Sequence, residues 1–260
     1  MTFKNCIEKA SLLLLSLFLL IGCSPKYKIS SKSDPITHET WDSLLKVHVN
    51  NQGLVDYKGF QTDRKKLDTY LQKVSEHHPN DKNWSKEEQM AYWINAYNAF
   101  TVQLILDNYP VESIKDVTSG PSISFVNSPW DIKFIEIEGA KYDLNNIEHN
   151  FLRKRFEDPR IHVGVNCASA SCPALPQFAF TADKLYEQLD QQARLFINDP
   201  SKNKITSNNI QISKIFKWFE GDFTKNGTLI DFLNKYSDTK INANASVDYL
   251  DYNWSLNEAK

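Results

Sequence analysis

The chain has 260 residues, 41% of them hydrophobic, enough to bury a core as one domain or at most two small ones. Its 30 basic and 32 acidic residues nearly cancel, and no long block carries one sign, which argues against a general nucleic-acid surface. Two methionines against 15 phenylalanines and 11 tyrosines point to a largely aromatic core.

Met1 to Gly22 reads as a leader to be set aside before any fold argument. Lys4 and Lys9 give it a positive start, and Leu12 to Ile21 is an apolar run broken by Ser16, short for a membrane span. It ends Leu20-Ile21-Gly22-Cys23, which resembles the bacterial lipoprotein signal. The resemblance implies cleavage before Cys23 and a lipid on its sulfur, each acyl CH₂ buried in a membrane adding about 0.8 kcal/mol. An ordinary secretory leader or an uncleaved anchor is the alternative. Residues 23–36 are polar, Lys- and Ser-rich and carry two prolines, so they read as a lipidated flexible tether. The folded part, 37–260, is then expected outside the cytoplasm, in the cell envelope, with the membrane as a partner through Cys23.

Within that part His38 to Val49 carries Trp41, Leu44, Leu45 and Val49 at helical spacing, and Leu54 to Lys58 reads as a short extended piece. Thr62 to Ser75 places Leu67, Tyr70, Leu71 and Val74 on one helical face. Ser85 followed by Glu88 is a capping box, and the helix it opens, Lys86 to about Asn108, is apolar around most of its circumference, so it should be buried and central. Asn95 and Asn98 fall in its apolar arc, where an amide must find partners and so braces neighbouring loops or a site. Pro110 ends the helix and Val111 to Pro129 is a long loop. Ile132 to Ile137 and Lys141-Tyr142 form a hairpin about Gly139, after which Asp143 caps a helix from Leu144 to Phe156. Its inward face contains Glu148, a carboxylate that needs a partner there, with His149 at the edge. Further on, Thr181 caps a helix to about Ile197, Lys204 to Ile212 is a hairpin, and Gly227 precedes an amphipathic helix through Tyr236. Val247 to Trp254 closes the chain as an alternating strand. About six helices with short, mostly hairpin-linked strands make the class α+β: a single domain, with a central buried helix packed with others against a mainly antiparallel sheet.

The chemistry concentrates between Arg160 and Pro173. Arg160 to Asn166 reads as a short apolar strand running into the small-residue loop Cys167-Ala168-Ser169-Ala170-Ser171-Cys172. On a strand, alternation puts His162 and Cys167 on opposite faces, so the Glu148-His149 helix supplies the better-placed partner. A nucleophilic thiolate needs a base or cation beside it, and that base needs an orienting group. Cys167 as nucleophile, His149 as base with His162 as rival, and Glu148 or an Asn such as Asn95 as orienter meet this requirement. Ala168, Ser169 and Ala170 leave room for backbone N–H groups to face an oxyanion. Outside the cytoplasm the two cysteines can equally form a disulfide. A metal site from His149, His162, Cys167 and Cys172 is the third option, though no strong ligand spacing supports it, and no cofactor is expected.

Several ordered segments together resemble the bacterial and plant family called domain of unknown function 547, over about Trp84 to Asn257. They are Trp93-Ile94-Asn95-Ala96-Tyr97-Asn98-Ala99, Ile147 to Arg153, His162-Val163-Gly164-Val165-Asn166-Cys167, Ser171-Cys172-Pro173 and Tyr252 to Asn257. Carried over by position, Asn95, His149, His162 and Cys167 are the family-pattern polar residues. The family's Cys and His pattern has suggested a likeness to thiol hydrolases of the papain and transglutaminase kind, an analogy only. Plant-type members tend to carry serine at the position of Cys172, and Asn253 stands where the closing motif more often reads Asp. The resulting expectation is a lipid-anchored thiol hydrolase or acyl transferase acting on peptide-like or amide substrates. Its rival is a non-catalytic binding or scaffold lipoprotein with a structural Cys167–Cys172 disulfide.

Overall fold

A computed structural model describes residues 32–117 and 128–259. The leader, Cys23, most of the tether and the middle of the 111–129 loop lie outside the described residues. The N-terminal layer is α1 (Glu39–His48), α2 (Tyr57–Thr62) and α3 (Arg64–Ser75), packed on the long α4 (Lys86–Asn108). The expected capping box opens α4: Ser85 Oγ accepts from Glu88 N at 3.1 Å, and Glu88 Oε2 accepts from Ser85 N at 2.7 Å. Such a cap is worth about 1 kcal/mol. Ile94 and Phe100, along with Met90, Trp93, Tyr97 and Ile105, are buried on all sides of α4. Each such aliphatic or Phe side chain stabilises the fold by about 1.5–3 kcal/mol. The helix is the axis of the main apolar cluster.

After α4 come the hairpin β1 (Ile135–Ile137) and β2 (Ala140–Tyr142), then a π-helix (Asn146–Arg153) running into α5 (Lys154–Phe156). Asp143 caps this stretch through Oδ1, which accepts from Asn146 N at 2.6 Å. The wider π turn re-aims side chains relative to an α-helix, and such turns gather at functional sites. Next are α6 (Ile161–Gly164) and α7 (Leu185–Asn198), which pack together. Beyond them β3 (Lys204–Ile205), β4 (Asn209–Ile212), α8 (Lys214–Trp218), α9 (Glu220–Phe223), α10 (Leu229–Leu233) and β5 (Ser246–Tyr249) build a second apolar cluster around Phe196, Phe216 and Phe223. Among the described residues no helix is long and apolar enough to cross a membrane. The α+β class holds.

Four local expectations are corrected. Arg160 to Asn166 is not a strand: α6 is a single helical turn, with Gly164 N bonded to Arg160 O at 3.1 Å and Val165 N to Ile161 O at 3.1 Å. Asp158 Oδ1 accepts from Arg160 N at 2.9 Å, and Pro159 lies in the turn just before the helix, where its O accepts from His162 N at 3.2 Å, a start that outweighs β-branched content. Gly164 also lets the turn approach its neighbours, since a Cβ there would meet Leu189 Cδ2 at 3.1 Å. Leu54 to Lys58 keeps only an isolated bridge at Val55, because Asp56 caps α2 through Oδ1, accepting from Gly59 N at 2.8 Å. α7 begins at Leu185, with Thr181 to Lys184 forming a turn. The closing strand stops at Tyr249 and pairs parallel with β4, which is possible because α8, α9 and α10 supply the crossover between them. The second sheet is therefore mixed, β3 and β4 being antiparallel.

Candidate functional site

Asn166 organises the loop that carries the thiols. Its Oδ1 accepts from Ala168 N at 2.9 Å, and its Nδ2 donates to Pro173 O at 2.7 Å, tying both ends of the loop together. Ala168 adopts φ 60°, the left-handed region that costs a non-glycine residue about 1–2 kcal/mol. The C-terminal segment clamps the strained turn: Ala170 N bonds to Ser255 O at 2.7 Å, Ser171 N to Asn253 O at 3.1 Å, and Asn257 N to Ala168 O at 3.1 Å. The result is a curled loop that returns Cys172 to Cys167.

Both cysteines are free, with sulfurs 2.8 Å apart. Cys167 Sγ also lies 3.2 Å from Ser169 Oγ and 3.3 Å from Tyr252 OH, and Ser169 Oγ donates to Tyr252 OH at 2.9 Å. Hydrogen bonding from Cys172 lowers the Cys167 pKa to about 7, assisted by Ser169 and Tyr252, against the opposing effect of burial. Burial pushes the Cys172 thiol well above its ordinary value, and its hydrogen bond to Cys167 adds to this. Burial and the two neighbouring thiols likewise push Tyr252 up, so its hydroxyl stays a donor. Of the backbone oxyanion donors expected in this loop, the Ser169 N–H faces the Cys167 sulfur and the other two are engaged elsewhere. Ala168 N–H goes to Asn166, Ala170 N–H to Ser255, and Cys167 N–H to Cys172 Sγ at 2.9 Å.

Cys167 opens on a cleft of about 170 Å³ between the two apolar clusters. Its mouth is aromatic: Tyr252 and Trp254 lie 4.5 Å apart by ring centroids, Trp218 and Tyr252 4.8 Å, and Trp130 and Trp254 5.6 Å. The opposite wall carries Glu148, His149 and His162. The π-helix and the 160–167 segment thus form two walls of one site, as the sequence suggests, though a helical turn rather than a strand presents His162.

His162 is 2% exposed and held between two carboxylates. Its Nε2 lies 2.8 Å from Asp222 Oδ2, its Nδ1 lies 3.6 Å from Glu148 Oε1 and has no hydrogen-bond partner, and its ring stacks on Phe219 at 3.9 Å. Arg153 grips Asp222 with two bonds, Nε to Oδ2 at 2.6 Å and NH2 to Oδ1 at 3.0 Å. The hydrogen bond from His162, then that from Arg153, hold Asp222 well below the usual carboxylate range. Burial raises Glu148, but the contact with His162 and the charge of Arg153 outweigh it and keep Glu148 low. Arg153 NH1 also lies 3.1 Å from His149 Nδ1. An arginine only donates, so that nitrogen accepts, and neutral His149 carries its proton on Nε2.

Neither imidazole has a hydrogen bond to Cys167; the side-chain partners of that sulfur are Cys172, Ser169 and Tyr252. Asn95 does not line the cleft. Its Nδ2 donates to Phe180 O at 2.8 Å and its Oδ1 accepts from Phe180 N at 3.0 Å, bracing the loop before α7. Asn98 similarly joins Gly164 O and Asn166 N, at 2.9 and 2.8 Å. No three His, Cys, Asp or Glu side chains group to hold a metal among the described residues, so the four-ligand arrangement of His149, His162, Cys167 and Cys172 does not converge. The sequence did not mark Asp222 or Tyr252 as site residues, nor the side chain of Ser169 as a partner of the thiol. Asp222 follows His162 by sixty residues and has no local signal that sets it apart from Glu220 between Phe219 and Phe223, while Tyr252 is visible only as part of the closing motif.

No curated protein and no solved structure matches the chain. One family model does, described as a protein of unknown function, DUF547, over residues 82–197. That span holds α4, the π-helix, α6 and both site cysteines, and over it the chain is similar to the family of domain of unknown function 547.

Proposed function

We propose that the cleft is the active site of a lipid-anchored, extracytoplasmic thiol hydrolase or acyl transferase acting on amide bonds. The observation that carries this reading is a thiol poised near neutrality in a cleft that it shares with a carboxylate-oriented imidazole. Cys167 thiolate adds to the carbonyl carbon, the C–N bond breaks, and the acyl group is left as a thioester while the amine departs with a proton. Water or an acceptor amine then takes the acyl group and restores the thiol.

The base falls to His162 rather than to His149, the first choice from sequence. Asp222 accepts the His162 Nε2 proton, which leaves Nδ1 as the basic atom, and Glu148 stands 3.6 Å from it to stabilise the imidazolium. In this reading Nδ1 is the general base that takes the Cys167 proton. His149, with its proton on Nε2, serves as a donor to the substrate. Tyr252 and the Cys172 thiol stabilise the thiolate. An apolar cavity of about 150 Å³ admits one benzene ring, so the cleft suits an acyl group of that size.

The test combines native-state labelling by chloroacetamide with turnover of chromogenic acyl amides. Cys167→Ala abolishes both. The reading fails if Cys167 stays unreactive in the folded protein and Cys167→Ala changes no acyl activity.

The 2.8 Å sulfur separation favours one other reading, a non-catalytic binding lipoprotein stapled by a Cys167–Cys172 disulfide. Intact mass with alkylation before and after reduction separates the two. The anchor rests on Leu20-Ile21-Gly22-Cys23 alone. Labelled palmitate should enter the wild type and not Cys23→Ala.

A further inference from the structure

The two thiols differ in ways that acyl transfer does not use. Both thiols line the cleft, but Cys167 is part-exposed whereas Cys172 is only 5% exposed. The loop between them is fixed by Asn166 and by the C-terminal clamp, so the sulfurs stay 2.8 Å apart with no chain motion needed to bring them together. A disulfide bond is about 2.05 Å, so bonding requires only a small closure. Cys167 also receives hydrogen bonds from the Tyr252 hydroxyl and the Ser169 backbone N–H, which stabilise its reduced, ionised form.

From this pairing we propose that Cys167 and Cys172 are an attacking and a resolving thiol, giving the site a thiol–disulfide exchange activity toward small apolar disulfides. Cys167 thiolate attacks one sulfur of R–S–S–R, the S–S bond breaks, and RS⁻ leaves and is protonated by the proton that Cys167 gave up. Cys172 then loses its proton and attacks Cys167 Sγ, forming the protein disulfide and releasing the second RSH. Two protein thiols are oxidised and one substrate disulfide is reduced to two thiols; turnover needs an external dithiol to reduce the protein again. The order of attack is set by access, because Cys167 is part-exposed and Cys172 is buried. The second step is intramolecular and fast, since its partners are already in contact. Stabilisation of the Cys167 thiolate favours the reduced pair, so the protein disulfide is easily reduced rather than a permanent staple. The proposal requires Cys167 to be a nucleophile but does not depend on acyl transfer.

The test uses the full chain with Cys6→Ser and Cys23→Ser in every sample, leaving two thiols, and 2,2′-dithiodipyridine, a neutral disulfide of two aromatic rings. The expected result is two equivalents of thiopyridone per protein, an intact mass lower by two hydrogens, and full recovery with dithiothreitol. Cys172→Ala and Cys172→Ser should each stop at one equivalent with a stable mixed disulfide, and Cys167→Ala should react at least tenfold more slowly. The proposal is overturned if the two-thiol protein stops at a stable mixed disulfide, carries two separate adducts, or does not react while folded. Loss of acyl turnover with intact thiol exchange would sink the acyl-transfer reading alone, and the converse would sink this one alone.

Discussion

His78 and His162 are buried almost equally, 1% and 2% exposed, but their surroundings set them opposite tasks. His78 sits among aromatic rings, 5.2 Å from Trp93, 5.6 Å from Phe151 and 6.1 Å from Tyr142 by centroids, with Nδ1 bonded to Pro79 O at 2.8 Å. Burial dominates there and lowers its pKa, so it stays neutral and structural. His162 has an aromatic neighbour too, yet Asp222 and Glu148 face its two nitrogens. Burial alone disables a histidine as a proton carrier, whereas fixed carboxylates on both sides of His162 orient its ring.

The largest effect expected from this contrast is on catalysis. His162→Gln should lower acyl turnover by about 10²–10⁴-fold, the usual worth of a general base, while His78→Gln leaves turnover within a few-fold. Equal losses in the two variants would break the comparison. Asp222→Asn keeps an acceptor for Nε2 but removes its charge; a charge-assisted hydrogen bond is worth about 1.5–3 kcal/mol, so a drop of roughly ten- to hundred-fold is expected in the same assay.

Acid titration of stability sharpens the contrast. His78 is held below its unfolded value, so the unfolded state binds the extra proton and stability falls as pH drops below about 6.5. Asp222 is also held low, so its contribution is present above about pH 4 and is lost only on further acidification. Thermal melts at stepped pH should show His78→Gln reducing the first slope, which buried His38, lowered to about 4, shares, and Asp222→Asn reducing the second.

At the thiol, the alkylation rate of Cys167 should rise with pH through a midpoint near 7. Cys172→Ala removes the leading cause of that shift and should move the midpoint upward. The smallest effect is Ala168→Gly. Relief of the left-handed strain, about 1–2 kcal/mol, is largely offset by the roughly 0.5–1 kcal/mol entropy cost of glycine, so chemical denaturation should show a net change below about 1 kcal/mol.

What the sequence determined by itself was local or periodic. The Ser85–Glu88 box and the all-round apolar pattern defined α4, Gly139 marked the hairpin, Asp143 marked the start of the following helix, and the two cysteines and the Glu148-His149 pair marked the site. These signals survive because each is set by neighbours within one or two turns of chain. The α6 segment was misread because four apolar residues fit a strand or a buried helical turn equally well, and the Asp158-Pro159 start that decides between them was overlooked. Only the tertiary structure decided which histidine is oriented and what faces the thiol. Asp222 reaches His162 across sixty residues, and Tyr252 reaches Cys167 across eighty-five. Packing of the second apolar cluster against the first brings them there, and no local pattern in a single chain encodes such a meeting.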